Sequence, residues 1–256
     1  MILSIIAYVW YDPVDGPNGG TWLGYTLGGI GTALILWLLW FGVRKRRYSS
    51  AGAPVEGWLS AHVYLGISLI VIATLHAGFN VGWNVHTLAY ALMLAVIISG
   101  FYGVFAYMRY PDLMTRNRHN QTMNAMMSAI ADTDRECRDV ASQLSDDVNK
   151  VILDSCQNTI IGGSMRRQLS GKDKNCPTSR ACKYVEEFAK NVSEENVESA
   201  RRLLALLNKK AVMVERARRD VQYKALMDIW LYLHVPLSVG LLAALIAHIL
   251  SVFFYW

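Results

Sequence analysis

Lysine and arginine are missing from three long stretches of this 256-residue chain: residues 1–43, 48–108 and 225–256. All 25 basic residues fall in two blocks, Arg44–Arg47 and Arg109–Lys224. The chain is 53% hydrophobic, although 18% of its residues are charged. This segregation predicts apolar membrane segments joined to a polar part. The net charge of +5 therefore reports membrane sidedness rather than affinity for nucleic acid.

Several signatures of self-contained enzymes are also missing from the sequence. It has no phosphate-binding loop, no nucleophile elbow and no metalloprotease motif. Its four cysteines form no Cys-x-x-Cys pair, which disfavours a zinc or iron–sulfur site. Ordinary c-type haem attachment is excluded because no Cys-x-x-Cys-His is present.

Four apolar segments are long enough to cross a bilayer, which takes about 20 residues per helix. They are Trp22–Val43, Trp58–Phe79, Val85–Met108 and Leu226–Tyr255. The apolar run Met1–Trp10 is too short to span and lacks the basic start of a signal peptide, so we predict an interfacial segment.

The positions of the basic residues predict the orientation of these spans. Basic residues directly follow the first and third spans and directly precede the fourth, and such flanks are typically cytoplasmic. Both termini and the tight turn Asn80–Asn84 are then expected outside. The sequence predicts an integral membrane protein, typical of a bacterial inner membrane, with residues 109–225 in the cytoplasm.

Apolar residues recur at seven-residue intervals in two series within residues 109–225. The recurring positions are Met123, Ile130, Cys137, Leu144 and Val151 in the first series, and Ala200, Leu207, Val214 and Val221 in the second. This spacing gives a narrow apolar seam on a long helix. Two such helices, joined by the polar stretch Asn158–Arg180, predict an antiparallel hairpin. No Pro or Gly occurs between Val192 and His234, so we expect the second helix to continue into the fourth span.

The predicted fold class is therefore all-α. It is a bundle of four transmembrane helices with a long antiparallel helical hairpin inserted between the third and fourth spans. We expect residues 1–108 to form the interfacial segment and three spans, 109–225 the hairpin, and 226–256 the span that completes the bundle.

The four cysteines all lie in the predicted hairpin. Cys137 occupies a seam position, where a thiol is most simply a small apolar filler. Cys156, Cys176 and Cys182 cluster near the tip, and the sequence leaves their role open. Stable disulfides are not expected on the cytoplasmic side, although three cysteines at one tip are a pattern that disulfide-bonded segments also show.

Four histidines lie inside the predicted spans at matching intervals. His62 and His76 are 14 positions apart in the second span, and so are His234 and His248 in the fourth. Fourteen residues make nearly four helical turns, so each pair shares one helix face with about 21 Å between its members. The two spans are predicted to run in the same direction. His62 is then level with His234, and His76 with His248.

Facing imidazoles at two depths favour a pair of metal centres. A single histidine in a span is commonly a hydrogen-bonded interior residue, but ionisable side chains are costly in lipid and usually functional there. Two facing imidazoles suit the axial positions of a low-spin haem iron. We therefore predict an inner haem b between His62 and His234. An outer haem b is predicted between His76 and His248.

Three further residues are candidates for contact with these cofactors. Gly66 and Gly240 lie between the members of each histidine pair, where a small residue lets a flat macrocycle approach, although small residues also mark plain helix contacts. His86 opens the third span and is either an interfacial residue, a donor to a haem propionate or a quinone, or a replacement for His76 as ligand. His119, between Arg118 and Asn120, is expected to be solvated.

The spacing of the histidines resembles that of the di-haem membrane cytochromes b. These include the cytochrome b of respiratory quinol–cytochrome c complexes and the ferric reductase and NADPH oxidase group. The resemblance covers the second and fourth spans and rests on a spacing. It implies that His62, His76, His234 and His248 are axial ligands of two non-covalent haems. The hairpin belongs to neither group, so the resemblance implies no quinone site.

The expected function is transfer of electrons across the bilayer by a subunit of a larger redox complex. The expected partners are membrane lipid, other subunits, a quinone or a cytochrome outside, and a redox protein docked on the hairpin inside. Two alternatives remain open: a haem-based redox or gas sensor that signals through the hairpin, and a histidine-lined metal-ion carrier. Such a carrier would need carboxylates in its spans, which offer only Asp228.

Overall fold

A computed structural model describes residues 1–13, 16, 18–46, 55–119, 121–191 and 193–254, with the backbone alone for residues 43–46, 55 and 56. Arg47, Val192, Tyr255 and Trp256, on which parts of the sequence analysis rest, lie outside this set, as do the side chains of Arg44–Arg46. The described residues form helices and turns without any strand, which confirms the all-α class.

The described helices are numbered here in chain order. They are α1 Ile2–Trp10, α2 Trp22–Arg46, α3 Val55–Ala77, α4 Val85–Arg118, α5 Met123–Ala141, α6 Asp146–Asn158, α7 Met165–Ser170, α8 Pro177–Asn191 and α9 Val197–Phe254, with a 3₁₀ turn at Glu194–Asn196. Helix α9 is continuous, as the absence of Pro and Gly before His234 predicts.

Within the described residues, four helical segments are long and apolar enough to cross a membrane. They are Trp22–Gly42 and Gly57–Ala77, together with apolar windows inside the longer segments Val85–Ala141 and Glu194–Phe254. The prediction of four transmembrane helices is confirmed at this level, by length and composition.

The chain divides into two compact units. The first, which we name the bundle, comprises Met1–Val104 and Trp230–Trp256. Its buried core takes one or two residues from each of α2, α3, α4 and α9: Ile35, Leu69, Met93, Leu241 and Leu245. Side chains that accept backbone hydrogen bonds stabilise two helix starts, because Thr21 Oγ1 accepts from Gly24 N (3.1 Å) and Asn84 Oδ1 from Thr87 N (3.0 Å).

The second unit, Phe105–Ile229, is named the insert. It contains more helices than the two expected from the heptad spacing, because the first series is broken between α5 and α6. Ser145 stands at the start of α6 in an extended conformation, and Asp146 and Asp147 occupy the first turn. This Ser-Asp-Asp sequence is a helix-start signal that the periodicity alone did not reveal.

The core of the insert joins four helices. Its buried residues are Cys137, Val140 and Ala141 from α5, Val148 and Ile152 from α6, Ala181 and Val185 from α8, and Leu203 and Leu207 from α9. Helix α8 was not foreseen as a separate element, and it supplies part of the surface that the seam of α9 covers. The seam positions Ala200, Leu207 and Val214 are buried as the heptad spacing predicts.

A buried lysine lies beside this core. Lys210 is 1% exposed, and its Nζ is 2.6 Å from Asp134 Oδ1 and donates to the carbonyl oxygen and Oγ of Ser155, at 2.8 and 3.0 Å. Three acceptors therefore satisfy the three ammonium protons. An ammonium group so far from water is tolerated only when it is paired and fully hydrogen-bonded.

The cysteines of the insert are all free thiols, and their surroundings differ. Burial raises the pKa of Cys137 to about 12 and that of Cys156 to about 11. These two thiols therefore stay protonated at neutral pH. At Cys176 burial is outweighed by hydrogen bonds from Ser179 and from Arg218, which lower the thiol pKa below its ordinary value.

The charge pair inside the insert gives a testable prediction. Asp134→Asn removes the carboxylate from the buried Lys210, and we expect a loss of about 3 kcal/mol in the free energy of unfolding. The matched control is Asp132→Asn, whose side chain is 57% exposed and pairs with Arg135. It should change stability by less than about 0.5 kcal/mol. Urea-dependent alkylation of Cys137, which is fully buried, measures both. Equal effects of the two substitutions would contradict this assignment.

Candidate functional site

Three histidines of the bundle meet at one end of α3, α4 and α9; we name them the His76 cluster (His76, His86 and His248). The ring centroids of His76 and His248 are 5.9 Å apart, with their planes at 89°. His86 and His248 are closer, with centroids 4.5 Å apart and 2.5 Å between their Nδ1 atoms. The pair predicted to share the outer haem is therefore brought together, and His86 joins it.

His76 is oriented by the backbone of α2. Its Nδ1 lies 2.8 Å from the carbonyl oxygen of Gly24. Since a carbonyl only accepts hydrogen bonds, Nδ1 carries the proton and Nε2 keeps its lone pair. A hydrogen bond of this kind fixes the tautomer that a metal-binding imidazole requires.

Gly28 lets α2 pack directly on the same ring. A Cβ atom at this position would lie 2.8 Å from Cε1 of His76, closer than real Cβ contacts. A Cβ atom at the neighbouring Gly29 would meet nothing within 4 Å. The close approach of α2 to His76 therefore depends on the missing side chain of Gly28.

A cavity of about 920 Å³ opens beside the His76 cluster. All three histidines line it, together with apolar residues such as Ala73, Met93 and Leu245. No Asp, Glu, Lys or Arg of the described chain contributes to the lining. Ligand pockets usually measure about 300–1,000 Å³. This one is near the upper end, so it has room for a planar cofactor of porphyrin size.

His62 and His234, which we name the His62 pair, lie on α3 and α9 in the same bundle. They are close enough for their imidazoles to interact electrostatically. The ring of His62 contacts Phe41 of α2, with centroids 5.0 Å apart, and is hydrogen-bonded to the backbone of Leu38. Its Nδ1 is buried with no hydrogen-bond partner in the described residues. A buried ring nitrogen without a partner is uncommon in a folded protein.

Ser99 of α4 orients His234. The hydroxyl of Ser99 donates to the carbonyl oxygen of Val96 at 2.7 Å, and its Oγ lies 2.8 Å from Nδ1 of His234. Either Ser99 or His234 can be the donor in this second hydrogen bond, because the hydroxyl can turn its single proton to Val96 or to the imidazole. The ring of His234 is also hydrogen-bonded to the backbone of Val96.

At the two glycines predicted to contact the cofactors, helix packing does not require the absence of a side chain. A Cβ atom at Gly66 or at Gly240 would meet nothing within 4 Å. The described packing thus leaves space at both positions, and their contact with a cofactor stays a prediction. His119 follows α4 in the insert, away from the bundle histidines in sequence, and is exposed with its Nδ1 near the Asn117 carbonyl oxygen.

Within the described residues, no group of three or more His, Cys, Asp or Glu side chains converges as a metal-ion site. A haem takes at most two ligands from the protein, and His76 and His248 are the described residues of the cavity that could hold one.

Comparison with known proteins supplies no identity for this chain. No protein family, curated protein or solved structure gives a significant match to it. Function must therefore be argued from the residues of the site.

Sequence reasoning missed the residues that hold the imidazoles in place. Ser99, Gly24 and Gly28 stand in spans with no unusual composition, and small residues are common in transmembrane helices. Of these three residues, only Gly28 could have been identified from the sequence as a packing residue. It lies four residues after Gly24 and so shares its helix face.

The packing of α2 on His76 predicts unequal effects of two neighbouring substitutions. Gly28→Ala and Gly29→Ala gain the same helix propensity, up to about 1 kcal/mol. At Gly28 the new methyl group collides with the ring of His76, which costs about 1–3 kcal/mol. We expect Gly28→Ala to lower the thermal unfolding midpoint of the purified protein in detergent and Gly29→Ala to leave it unchanged or raise it. Equal midpoints for the two variants would show that α2 does not contact His76.

Proposed function

We propose that this chain is a membrane-embedded di-haem cytochrome of b type that carries electrons across the bilayer. One haem would lie between His76 and His248, and the other between His62 and His234. The observation that carries the proposal is the pairing of imidazoles from α3 and α9 at two positions 14 residues apart along each helix. A haem iron accepts and releases one electron at a time.

The residues of the chain would contribute orientation and exclusion of water. The carbonyl oxygen of Gly24 holds the proton of the neutral His76 ring on Nδ1, which would leave Nε2 available as a ligand. Ser99 would orient His234 through its Nδ1. If His248 also binds through Nε2, its Nδ1 carries the proton and donates to Nδ1 of His86. His86 is then a hydrogen-bond acceptor for a ligand rather than a ligand itself. This role is proposed beside the three that the position of His86 in the sequence left open.

The described lining of the cavity includes three histidines but no Asp, Glu, Lys or Arg. We propose an electron-transfer subunit of a larger oxidoreductase, which exchanges electrons with a quinone or a cytochrome on one side and a redox protein on the other. The insert, proposed to lie in the cytoplasm, would dock the inner partner.

Haem content is the direct test of the proposal. The purified full-length protein should yield two haems b per chain in the pyridine haemochrome assay, with a low-spin reduced spectrum that does not respond to CO. His248→Ala and His234→Ala should each retain one haem. The control His119→Ala changes an exposed histidine of the insert and should retain two. A wild-type protein without haem would end the proposal, and a CO response would favour the gas-sensor alternative.

The proposed orientation is a bacterial inner-membrane protein with both termini outside and the insert in the cytoplasm. Its basis is the confinement of Lys and Arg to Arg44–Arg47 and Arg109–Lys224. Trypsin should cleave the insert in inverted membrane vesicles and leave it intact in spheroplasts. Cleavage in intact spheroplasts alone would reverse the orientation.

A further inference from the structure

Residues 159–176 of the insert, which we name the basic loop, contain α7 and pack along α9. The guanidinium group of Arg218 donates two hydrogen bonds to the carbonyl oxygen of Ile160, at 3.0 and 2.7 Å. One turn further along α9, Gln222 donates to the carbonyl oxygen of Leu169 at 2.9 Å. The sequence predicted this stretch at the tip of a hairpin, whereas these bonds hold it close to the start of the fourth span.

Two helices reach their apolar spans at the level of these contacts. Gln222 stands four residues, or about 6 Å of helix rise, before Leu226, where the fourth apolar segment begins. The adjacent Tyr223 stacks on Tyr110 of α4, with ring centroids 5.8 Å apart. Tyr110 follows Met108, the last residue of the third apolar segment, by two positions. The tyrosine pair therefore marks the membrane surface, where tyrosine is enriched.

The basic loop combines unbalanced positive charge with exposed apolar side chains. Its basic residues are Arg166, Arg167, Lys172 and Lys174, and all but Arg167 are exposed. Its single acidic residue, Asp173, pairs with Arg218 of α9 at 3.1 Å, so it does not neutralise the exposed cations. Ile160 and Met165 are 45% and 43% exposed. Cations and apolar side chains side by side are the composition that binds a negatively charged membrane surface.

We infer that the basic loop is a second membrane contact of the chain, which binds the headgroups of anionic phospholipids. Its exposed cations pair with lipid phosphates, and Ile160 and Met165 enter the interface between headgroups and acyl chains. Because Arg218 and Gln222 fix the loop to α9, this contact ties the insert to the bilayer beside the fourth span. The inference needs the spans of α4 and α9 and is independent of haem.

The lipid dependence of the loop is measured on the full-length protein in nanodiscs. One set contains phosphatidylcholine alone, and the other contains about 30% phosphatidylglycerol, which is anionic. Hydrogen exchange followed by mass spectrometry reports the protection of the backbone amides of α7, which has only six residues and few hydrogen bonds of its own. We expect exchange in α7 to be at least about 10-fold slower with phosphatidylglycerol, and this difference to disappear in about 0.5 M salt.

Two triple variants with the same change in net charge separate the loop from the rest of the insert. The loop variant combines Arg166→Gln, Lys172→Gln and Lys174→Gln. The control variant combines Lys150→Gln, Lys190→Gln and Arg202→Gln, which are exposed residues outside the loop. Arg202 stands 24 residues before Leu226, about 36 Å of helix rise from the span. Each cation at an anionic surface strengthens binding about 5-fold, so the loop variant should lose the lipid-dependent protection and the control variant should keep it.

Three outcomes overturn the inference. The first is equal exchange of α7 in the two lipid compositions, the result expected if the loop binds an acidic protein instead. The second is undiminished lipid-dependent protection in the loop variant. The third is protection by soluble inorganic phosphate in phosphatidylcholine nanodiscs, which would assign the loop to a free anion and not to the membrane.

Discussion

Imidazoles placed among apolar helices need partners, because an unpaired polar group away from water costs several kcal/mol. In the bundle, hydrogen bonds between helices meet most of this need. Three of the four paired histidines, His76, His234 and His248, have Nδ1 bonded to a neighbouring helix. At His76 the partner is a carbonyl oxygen, so Nδ1 is the donor and Nε2 of the neutral ring is unprotonated. This is the tautomer that the proposed ligation of a haem would require.

Each helix of the bundle contributes histidines or the groups that hold the histidines in place. Helices α3 and α9 supply the histidines, α2 supplies the Gly24 carbonyl and the close approach at Gly28, and α4 supplies Ser99 and His86. A cavity beside the His76 cluster is lined mainly by apolar side chains from these helices. Leu69 and Leu241 of the bundle core also line this cavity.

In the insert, a buried charge is likewise paired with polar groups. Lys210 is placed in the interior by the helical periodicity of α9, and Asp134 and Ser155 complete its hydrogen bonds from α5 and α6. The break between α5 and α6 is what allows two different helices to reach the same ammonium group. A single continuous helix through Val151, as the heptad spacing predicted, would follow one straight path and could not fold back on itself.

The sequence by itself determined the spans, the helical class and the matching intervals of the histidines, because hydrophobic length and helix pitch are local properties of the chain. It also identified His62, His76, His234 and His248 as the candidate ligands. Tertiary structure alone decided which nitrogen of each imidazole is bonded and to what. Ser99 meets His234 across 135 positions, and Gly24 meets His76 across 52. Contacts at such separations depend on how helices rotate and pack against each other, which no local pattern encodes.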